Sequence, residues 1–82
     1  MFVAPTRLTL IGKPDCHLCD DARAVIGSVM DGRSDVVLEE LSIHDDADLN
    51  ELYWDEIPVL MIDGRVHSIW RVDADRLRVA LG

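Results

Sequence analysis

The chain of 82 residues has room for one domain, which is predicted to span residues 1–82. Its apolar fraction of 49% argues against disorder, its two Cys are too few for a disulfide-stapled secreted scaffold, and no apolar run is long enough to cross a bilayer. Because 16 acidic residues face only eight basic ones, for a net charge of −8, no basic surface is expected that would bind nucleic acid or an anionic membrane.

The N-terminal segment Met1–Ile11 contains a proline and an arginine and is too short for a secretory signal peptide, which predicts a cytoplasmic location. Within it, Arg7–Ile11 is a short apolar run rich in strand-forming residues. Gly12 and Pro14 follow the run and end the pattern. A buried first strand is therefore predicted here.

The first predicted helix begins around two Cys separated by two residues, Cys16-His17-Leu18-Cys19. Its apolar residues recur at helical spacing and form one stripe, Leu18, Ala22, Val25, Ile26, Val29 and Met30. Asp15 is the predicted N-cap, and Gly32 is the predicted stop after the last turn. Cys16 is therefore expected at or near the N-terminus of this helix.

The segment Val36–Ile43 predicts a second strand, and one helix between two strands predicts a parallel βαβ unit. Asp45 and Asp46 open a second helix, whose predicted inner face consists of Leu49, Leu52 and Tyr53. This helix must end before Ile57, because the residue that precedes Pro58 is held in extended geometry.

Two further strands are predicted on either side of Asp63-Gly64, over Pro58–Ile62 and Arg65–Trp70. A two-residue turn of this composition is the strongest short-range signal for an antiparallel hairpin. Asp73 then caps a last helix, which directs Ala74, Leu77 and Leu81 inward. The predicted order is βαβαββα, an α/β fold with one sheet covered by helices.

The two Cys are the residues best suited to chemistry. On a helix their Cβ atoms would be about 5–6 Å apart, so a small adjustment brings the sulfurs within disulfide range. Cys16 has the positive end of the helix dipole and free N–H groups beside it, and both favour the nucleophilic thiolate. Cys19 lies one turn further along, toward the apolar stripe, and is expected to be shielded. Dithiol exchange needs this combination of an exposed attacking thiol and a protected resolving thiol.

Charged neighbours act on Cys16 in both directions. Lys13 and protonated His17 favour its thiolate, whereas three acids oppose it, Asp15, Asp20 and Asp21. We therefore expect a moderately reactive thiol. His17 is also a candidate proton shuttle, with a solvated residue at a helix start as the equally weighted alternative.

The order of these features resembles glutaredoxins, and more closely a group of small glutaredoxin-like bacterial proteins. The resemblance covers nearly the whole chain and rests on the first strand, the Cys pair, the Ile57-Pro58-Val59 segment, the Asp63-Gly64 hairpin and the final helix. It implies a fold of the thioredoxin superfamily, in which a four-stranded mixed sheet has the strand order 2-1-3-4.

The resemblance also implies roles for individual residues. Pro58 corresponds to a cis-proline beside the reactive Cys, and Ile57 would offer its backbone to an extended substrate as an added strand. Lys13 matches a position that orients a glutathione carboxylate or stabilises the thiolate. The implied substrate-binding residues, beside the catalytic Cys16 and Cys19, are Lys13, His17, Ile57, Pro58 and Asp73.

Two departures from the related families bear on the electron donor. Glutaredoxins usually hold glutathione with a Gly-Gly and Asp segment after the hairpin, whereas this chain has Ile69–Asp75 there, with Asp73 left to meet the glutathione amine. Thioredoxins have an acid on the first strand, and this strand has none to act as a base for Cys19. The predicted donor is either glutathione or a thioredoxin-reductase-like enzyme, with no bound cofactor, and the predicted substrate is a disulfide-containing protein or small molecule.

The sequence thus predicts a thiol–disulfide oxidoreductase that works through Cys16 and Cys19. Two alternatives stay open: a non-catalytic binding module that uses the groove at Ile57-Pro58, and a protein that handles zinc or an iron–sulfur cluster through Cys16 of two protomers. His44 and His67 are predicted on other elements, so no complete metal site is expected. The two Trp, Trp54 and Trp70, are expected to be partly buried packing residues rather than walls of a groove.

Overall fold

The computed structural model describes residues 4–82, which form seven elements in the predicted order. They are β1 (Thr6–Gly12), α1 (His17–Met30), β2 (Val36–Ser42), α2 (Ala47–Tyr53), β3 (Val59–Ile62), β4 (Arg65–Ile69) and α3 (Ala74–Leu81). Residues 1–3, which begin both the predicted domain and the segment judged too short for a signal peptide, lie outside the described residues. In the part that is described, no helix is long and apolar enough to cross a membrane.

One mixed sheet carries the fold, with its strands in the order β2-β1-β3-β4. β1 runs parallel to β2, with pairs from Thr6↔Val36 to Gly12↔Ser42, so α1 is the crossover between them. β1 pairs antiparallel with β3, and β3 pairs antiparallel with β4. The α/β class and the strand order that the resemblance implied are confirmed.

The tight turn at Asp63-Gly64 joins β3 to β4, as predicted. Both residues have a positive φ, 49° at Asp63 and 83° at Gly64. A type I′ turn, which is favoured in two-residue hairpins, requires a positive φ at both of its central residues. Asp63 also ties the turn to the central strand, because its Oδ1 accepts from the Arg7 N–H at 2.9 Å and its own N–H donates to Arg7 O at 2.8 Å.

β1 is the buried centre of the fold because its side chains alternate between two apolar layers. The layer covered by α1 and α3 contains Leu8, Leu10, Ile26, Leu60 and Leu77. The opposite layer, on which α2 packs, contains Ile11, Ile43 and Val59, with Leu49 and Tyr53 against them. The loop that follows β1 is therefore held by a strand that is fixed on both faces.

Two residues predicted to face inward do not. Leu18 is 40% exposed and Leu52 is 61% exposed. The buried face of α1 begins at Cys19 and continues through Ala22, Ile26 and Val29. Leu18 comes one residue before Cys19, and one residue is about 100° of rotation around a helix. The same rotation separates Leu52 from Tyr53, which packs on the core and so leaves Leu52 in solvent.

Leu77 is the buried residue of α3, with no exposed surface. We expect Leu77→Ala to lower the free energy of unfolding by about 2–5 kcal/mol, because it leaves a cavity beneath α3. Urea unfolding followed by far-UV circular dichroism measures the change. The control Val79→Ala alters a residue of the same helix that is 82% exposed, and its effect should stay within about 0.5 kcal/mol. Equal losses in both variants would contradict this account of how α3 is attached.

Candidate functional site

Cys16 begins the functional site as the N-cap of α1. Its backbone is extended, with φ −117° and ψ 111°, and its Sγ accepts a hydrogen bond from the Cys19 N–H at 3.2 Å. The prediction that Asp15 caps this helix is wrong. Asp15 has a φ of 56°, a left-handed conformation that turns the chain and leaves Cys16 to meet the first free N–H groups. The Cys16 sulfur therefore lies at the positive end of α1, as predicted.

Cys16 and Cys19 form a disulfide, with their Cα atoms 5.1 Å apart. The pair is asymmetric, because Cys16 is partly exposed whereas Cys19 is 2% exposed on the buried face of α1. Cys16 therefore has surface that a second molecule can reach, while Cys19 has almost none. This arrangement suits an outer Cys that attacks and an inner Cys that resolves.

Gly12, at the end of β1, provides the space that the Cys19 side chain needs. A Cβ atom on Gly12 would lie 2.8 Å from Cys19 Sγ and 3.4 Å from Cys19 Cβ, and the first of these is closer than real side chains approach. Gly12 has no positive φ, so its role here is steric rather than conformational. In the sequence, Gly12 is recognisable only as the end of a strand, because the contact with Cys19 arises when α1 packs on the sheet.

The sheet brings Pro58 to the same edge as the Cys pair. Ile11 pairs with Val59 in antiparallel register, so Gly12 and Pro58, the next residues outward, are neighbours across the two strands. The peptide that joins Ile57 to Pro58 is cis, and Pro58 has almost no exposed surface. Among residues 4–82, neither the N–H nor the C=O of Ile57 has a hydrogen-bond partner. Ile57 therefore presents unpaired backbone groups at this edge.

Two grooves open next to the Cys motif. The first, of about 270 Å³, reaches Cys19, and its charged lining residues are Lys13, Arg23, Glu40 and Asp45. The second, of about 180 Å³, lies between Leu18 of α1 and the segment 70–72. The expectation that the two Trp are partly buried packing residues rather than walls of a groove is wrong for Trp70, which is 53% exposed and lines the second groove, while Trp54 is 64% exposed. The chain leaves the sheet at the end of β4, which turns Trp70 into the wall of the second groove.

Arg23 joins α1 to β2 at the first groove. Its Nε donates to Glu40 Oε1 at 2.8 Å, and its Nη1 donates to Asp20 Oδ1 at 2.9 Å. The hydrogen bond to Glu40, followed by that to Asp20, raises the pKa of Arg23, which stays charged. Asp20, one of the acids expected to oppose a Cys16 thiolate, is therefore paired with a cation.

Three other predicted substrate-binding residues are exposed. Lys13 lies in the loop before α1 and lines the first groove, and His17 is the first residue of α1. Asp73 caps α3 as predicted, with its Oδ1 accepting from the Arg76 N–H at 2.9 Å. It directly follows Val72, which lines the second groove. Lys13 and Asp73 thus lie next to grooves on different faces of α1.

The histidines outside the Cys motif lie on other elements, as expected. His44 is exposed just after β2, and His67 lies on β4, where burial and then the positive charge of Arg76 lower its pKa. Within the described range 4–82, no group of three or more His, Cys, Asp or Glu side chains is arranged to hold a metal ion.

Solved structures similar to this chain come from several organisms. Protein XcR50 from X. campestris is 39% identical, with a TM-score of 0.74, over 90% of this chain and 93% of that chain. Protein Ne2328 from Nitrosomonas europaea is 26% identical, with a TM-score of 0.82, over 100% of this chain and 98% of that chain. A mutant thioredoxin from Halobacterium salinarum NRC-1 is 18% identical, with a TM-score of 0.65, over 95% and 73%. That last likeness shows a thioredoxin-like fold.

Comparison with family models gives the more specific result. A search of curated proteins found no match. The model of the glutaredoxin-like domain (DUF836) matches residues 7–82, which include all seven elements except the first residue of β1, and also the Cys motif and Ile57-Pro58. Because the match takes in the whole candidate site and almost the whole sheet, this chain belongs to the glutaredoxin-like domain family (DUF836).

Proposed function

We propose that this protein is a thiol–disulfide oxidoreductase whose Cys16 and Cys19 cycle between a dithiol and a disulfide. One observation carries the proposal: the two sulfurs are close enough to bond, yet only Cys16 is accessible, at the positive end of α1. Reactive cysteines occupy such partly exposed, electropositive positions, whereas structural cysteines are buried and inert. The proposed role is electron transfer to disulfides in cellular redox homeostasis.

The reaction proceeds in two exchanges. The Cys16 thiolate attacks one sulfur of a substrate disulfide, the substrate S–S bond breaks, and a mixed disulfide joins Cys16 to half of the substrate. The other half leaves as a thiolate and takes up a proton, for which His17 is the proposed donor. Cys19 then loses its proton to solvent and attacks Cys16 Sγ, which closes the Cys16–Cys19 disulfide and releases the second substrate half as a thiolate, which takes up a proton from solvent. Counted from the protein dithiol, the substrate gains two electrons and two protons, and the protein loses two electrons and the protons of both thiols.

Nearby groups of the chain support these exchanges. The Cys19 N–H, which donates to Cys16 Sγ, would stabilise negative charge on that sulfur, as would the end of the helix dipole. Lys13 adds a positive charge in the loop before the helix. The N–H and C=O of Ile57, which have no partner among residues 4–82, would pair with an extended substrate, while the buried Pro58 keeps that segment against the sheet.

An external donor must return the protein to the dithiol form. We propose glutathione or a thioredoxin-reductase-like enzyme of the cytoplasm. Two glutathione molecules would supply the two electrons and leave as glutathione disulfide, whereas the enzyme would supply them from one dithiol, which becomes a disulfide. Asp73 would meet the glutathione amine with the carboxylate oxygen that does not cap α3, since Oδ1 already accepts from the Arg76 N–H. The proposal involves no bound cofactor, nucleic acid or membrane.

Replacing each Cys in turn tests the two roles. We expect Cys16→Ser to reduce insulin disulfides no faster than the buffer does, because the attacking sulfur is gone. Cys19→Ser keeps the attacker without a resolver, so a covalent one-to-one adduct with the substrate should accumulate. Mass spectrometry of the intact protein under non-reducing conditions measures the adduct.

The double variant Cys16→Ser/Cys19→Ser is the control and should form no adduct. Equal loss of activity in both single variants without any adduct would contradict the assigned roles. An alkylation rate of Cys16, measured in the reduced protein at neutral pH, that does not exceed that of free cysteine would instead favour a non-catalytic binding module.

Gly12 offers a second test of the Cys pair. In the disulfide form the bond to Cys16 holds the Cys19 sulfur where a Cβ of residue 12 would touch it, whereas the free thiol can rotate away. Gly12→Ala should therefore destabilise the disulfide by about 1–3 kcal/mol relative to the dithiol and raise the reduction potential by about 20–60 mV. Equilibration with glutathione redox buffers measures the potential.

The control Gly27→Ala places a methyl group on α1 where no atom lies within 4 Å. Its reduction potential should equal that of the wild-type protein. An unchanged or lower potential in Gly12→Ala would show that this glycine does not control the position of Cys19.

A further inference from the structure

Trp70 adopts a backbone conformation that bulky residues rarely adopt. Its φ is 66°, and the Arg71 N–H donates to Ile69 O at 2.8 Å, which closes a three-residue turn around Trp70. Turns of this kind with a positive φ at the central residue are rare and strained. Such strain persists only when surrounding contacts hold it, and strained residues concentrate at functional sites.

Hydrogen bonds rather than burial hold Trp70 in this conformation. Its side chain is 53% exposed, so the core does not fix it. Its backbone N–H instead donates to Pro58 O at 2.9 Å and to Glu56 O at 3.3 Å, and its indole Nε1–H donates to Asp55 O at 3.0 Å. All three bonds end on one short segment, Asp55–Pro58.

These bonds bracket Ile57. The carbonyl groups on either side of it, those of Glu56 and Pro58, both accept from Trp70, whereas the N–H and C=O of Ile57 itself have no partner within residues 4–82. Trp70 therefore fixes the direction of the carbonyl groups on both sides of Ile57. The N–H and C=O of Ile57 are left to pair with another chain.

The second groove connects Trp70 to the Cys motif. The Trp70 side chain and Leu18 line the same groove, and Leu18 lies between Cys16 and Cys19 in the chain. Both side chains are large, apolar and substantially exposed. A substrate chain that extends from Cys16 past Leu18 would therefore enter the groove that Trp70 lines.

We propose that Trp70 is a positioning residue for substrates in which the disulfide is carried on an extended peptide. Its strained turn and its three hydrogen bonds hold the Ile57 backbone ready to pair with that peptide as an added strand. This inference rests on the proposed oxidoreductase function and narrows its substrate class. Small disulfides without a peptide backbone cannot pair with the Ile57 backbone and do not depend on Trp70.

The test compares two substrates in single turnovers of the pre-reduced protein. One is a pair of extended peptides joined by a disulfide, and the other is hydroxyethyl disulfide. Trp70→Phe keeps the ring and the backbone N–H but removes the indole donor to Asp55 O. We expect it to raise the half-saturating concentration of the peptide disulfide about fivefold, at an unchanged limiting rate, with no change for hydroxyethyl disulfide. The control Trp54→Phe makes the same substitution at the exposed Trp that ends α2, and it should change the half-saturating concentration of neither substrate.

A second variant separates positioning from folding. Trp70→Gly fits the positive φ without strain and keeps the backbone N–H, so it should unfold at no lower urea concentration than Trp70→Phe. It also loses the hydrogen bond from the indole to Asp55 O and the aromatic side chain that lines the second groove. The half-saturating concentration of the peptide disulfide should therefore rise further in Trp70→Gly than in Trp70→Phe. A fall in stability without this selective rise would indicate a merely structural role and overturn the inference.

The remaining outcomes are distinguishable. The inference about Trp70 alone is overturned if the wild-type protein reacts with both substrates and the Trp70→Phe variant is either unchanged or equally impaired toward both. A wild-type protein that reacts with neither substrate overturns the proposed function, and this inference with it.

Discussion

The packing of the first turn of α1 against the end of β1 is the contact on which the rest of the site depends. A side chain on Gly12 would meet Cys19 Sγ at 2.8 Å, so only a glycine lets the helix approach the strand this closely. That approach buries Cys19 and leaves Cys16 as the N-cap, where its sulfur accepts from the Cys19 N–H. The difference between the two sulfurs therefore follows from backbone and steric geometry more than from charged neighbours, which act on Cys16 in both directions.

The strand order brings together parts of the site that are far apart in the chain. β1 lies at the centre, and its antiparallel register with β3 pairs Ile11 with Val59. The register of β3 with β4 pairs Val59 with Ile69, so Pro58 and Trp70 come to lie opposite each other just beyond the ladder. The Cys motif, the proline segment and the turn after β4 thus meet at one edge of the sheet. Each of these segments adjoins a strand of the sheet, which fixes its place in the fold.

Trp70 shows how a fold can retain a locally unfavourable conformation. A left-handed backbone at a residue other than glycine costs about 1–3 kcal/mol, and each hydrogen bond to the segment Asp55–Pro58 returns about 0.5–1.5 kcal/mol. Trp70 makes these bonds with two donors, its indole N–H and its backbone N–H, which is shared between Pro58 O and Glu56 O, so their contribution is of the same order as the strain. In the sequence, the only sign of this feature is that the glycines usual between the hairpin and the last helix of glutaredoxins are absent. The structure shows that Trp70 takes a glycine-like conformation there, with its indole half-exposed and bonded to Asp55 O.

The sequence by itself determined the elements, their order and the placement of two sulfurs one turn apart at a helix start. These features depend on periodicity, caps and turn residues such as Asp63-Gly64, which act over a few neighbouring positions. Only the tertiary structure decided that Cys16 rather than Asp15 caps α1, that Gly12 faces the inner sulfur and that Trp70 holds the proline segment. Such contacts leave no local pattern in the sequence around the residues they join. They form only after the sheet has aligned its strands and the helices have packed upon it.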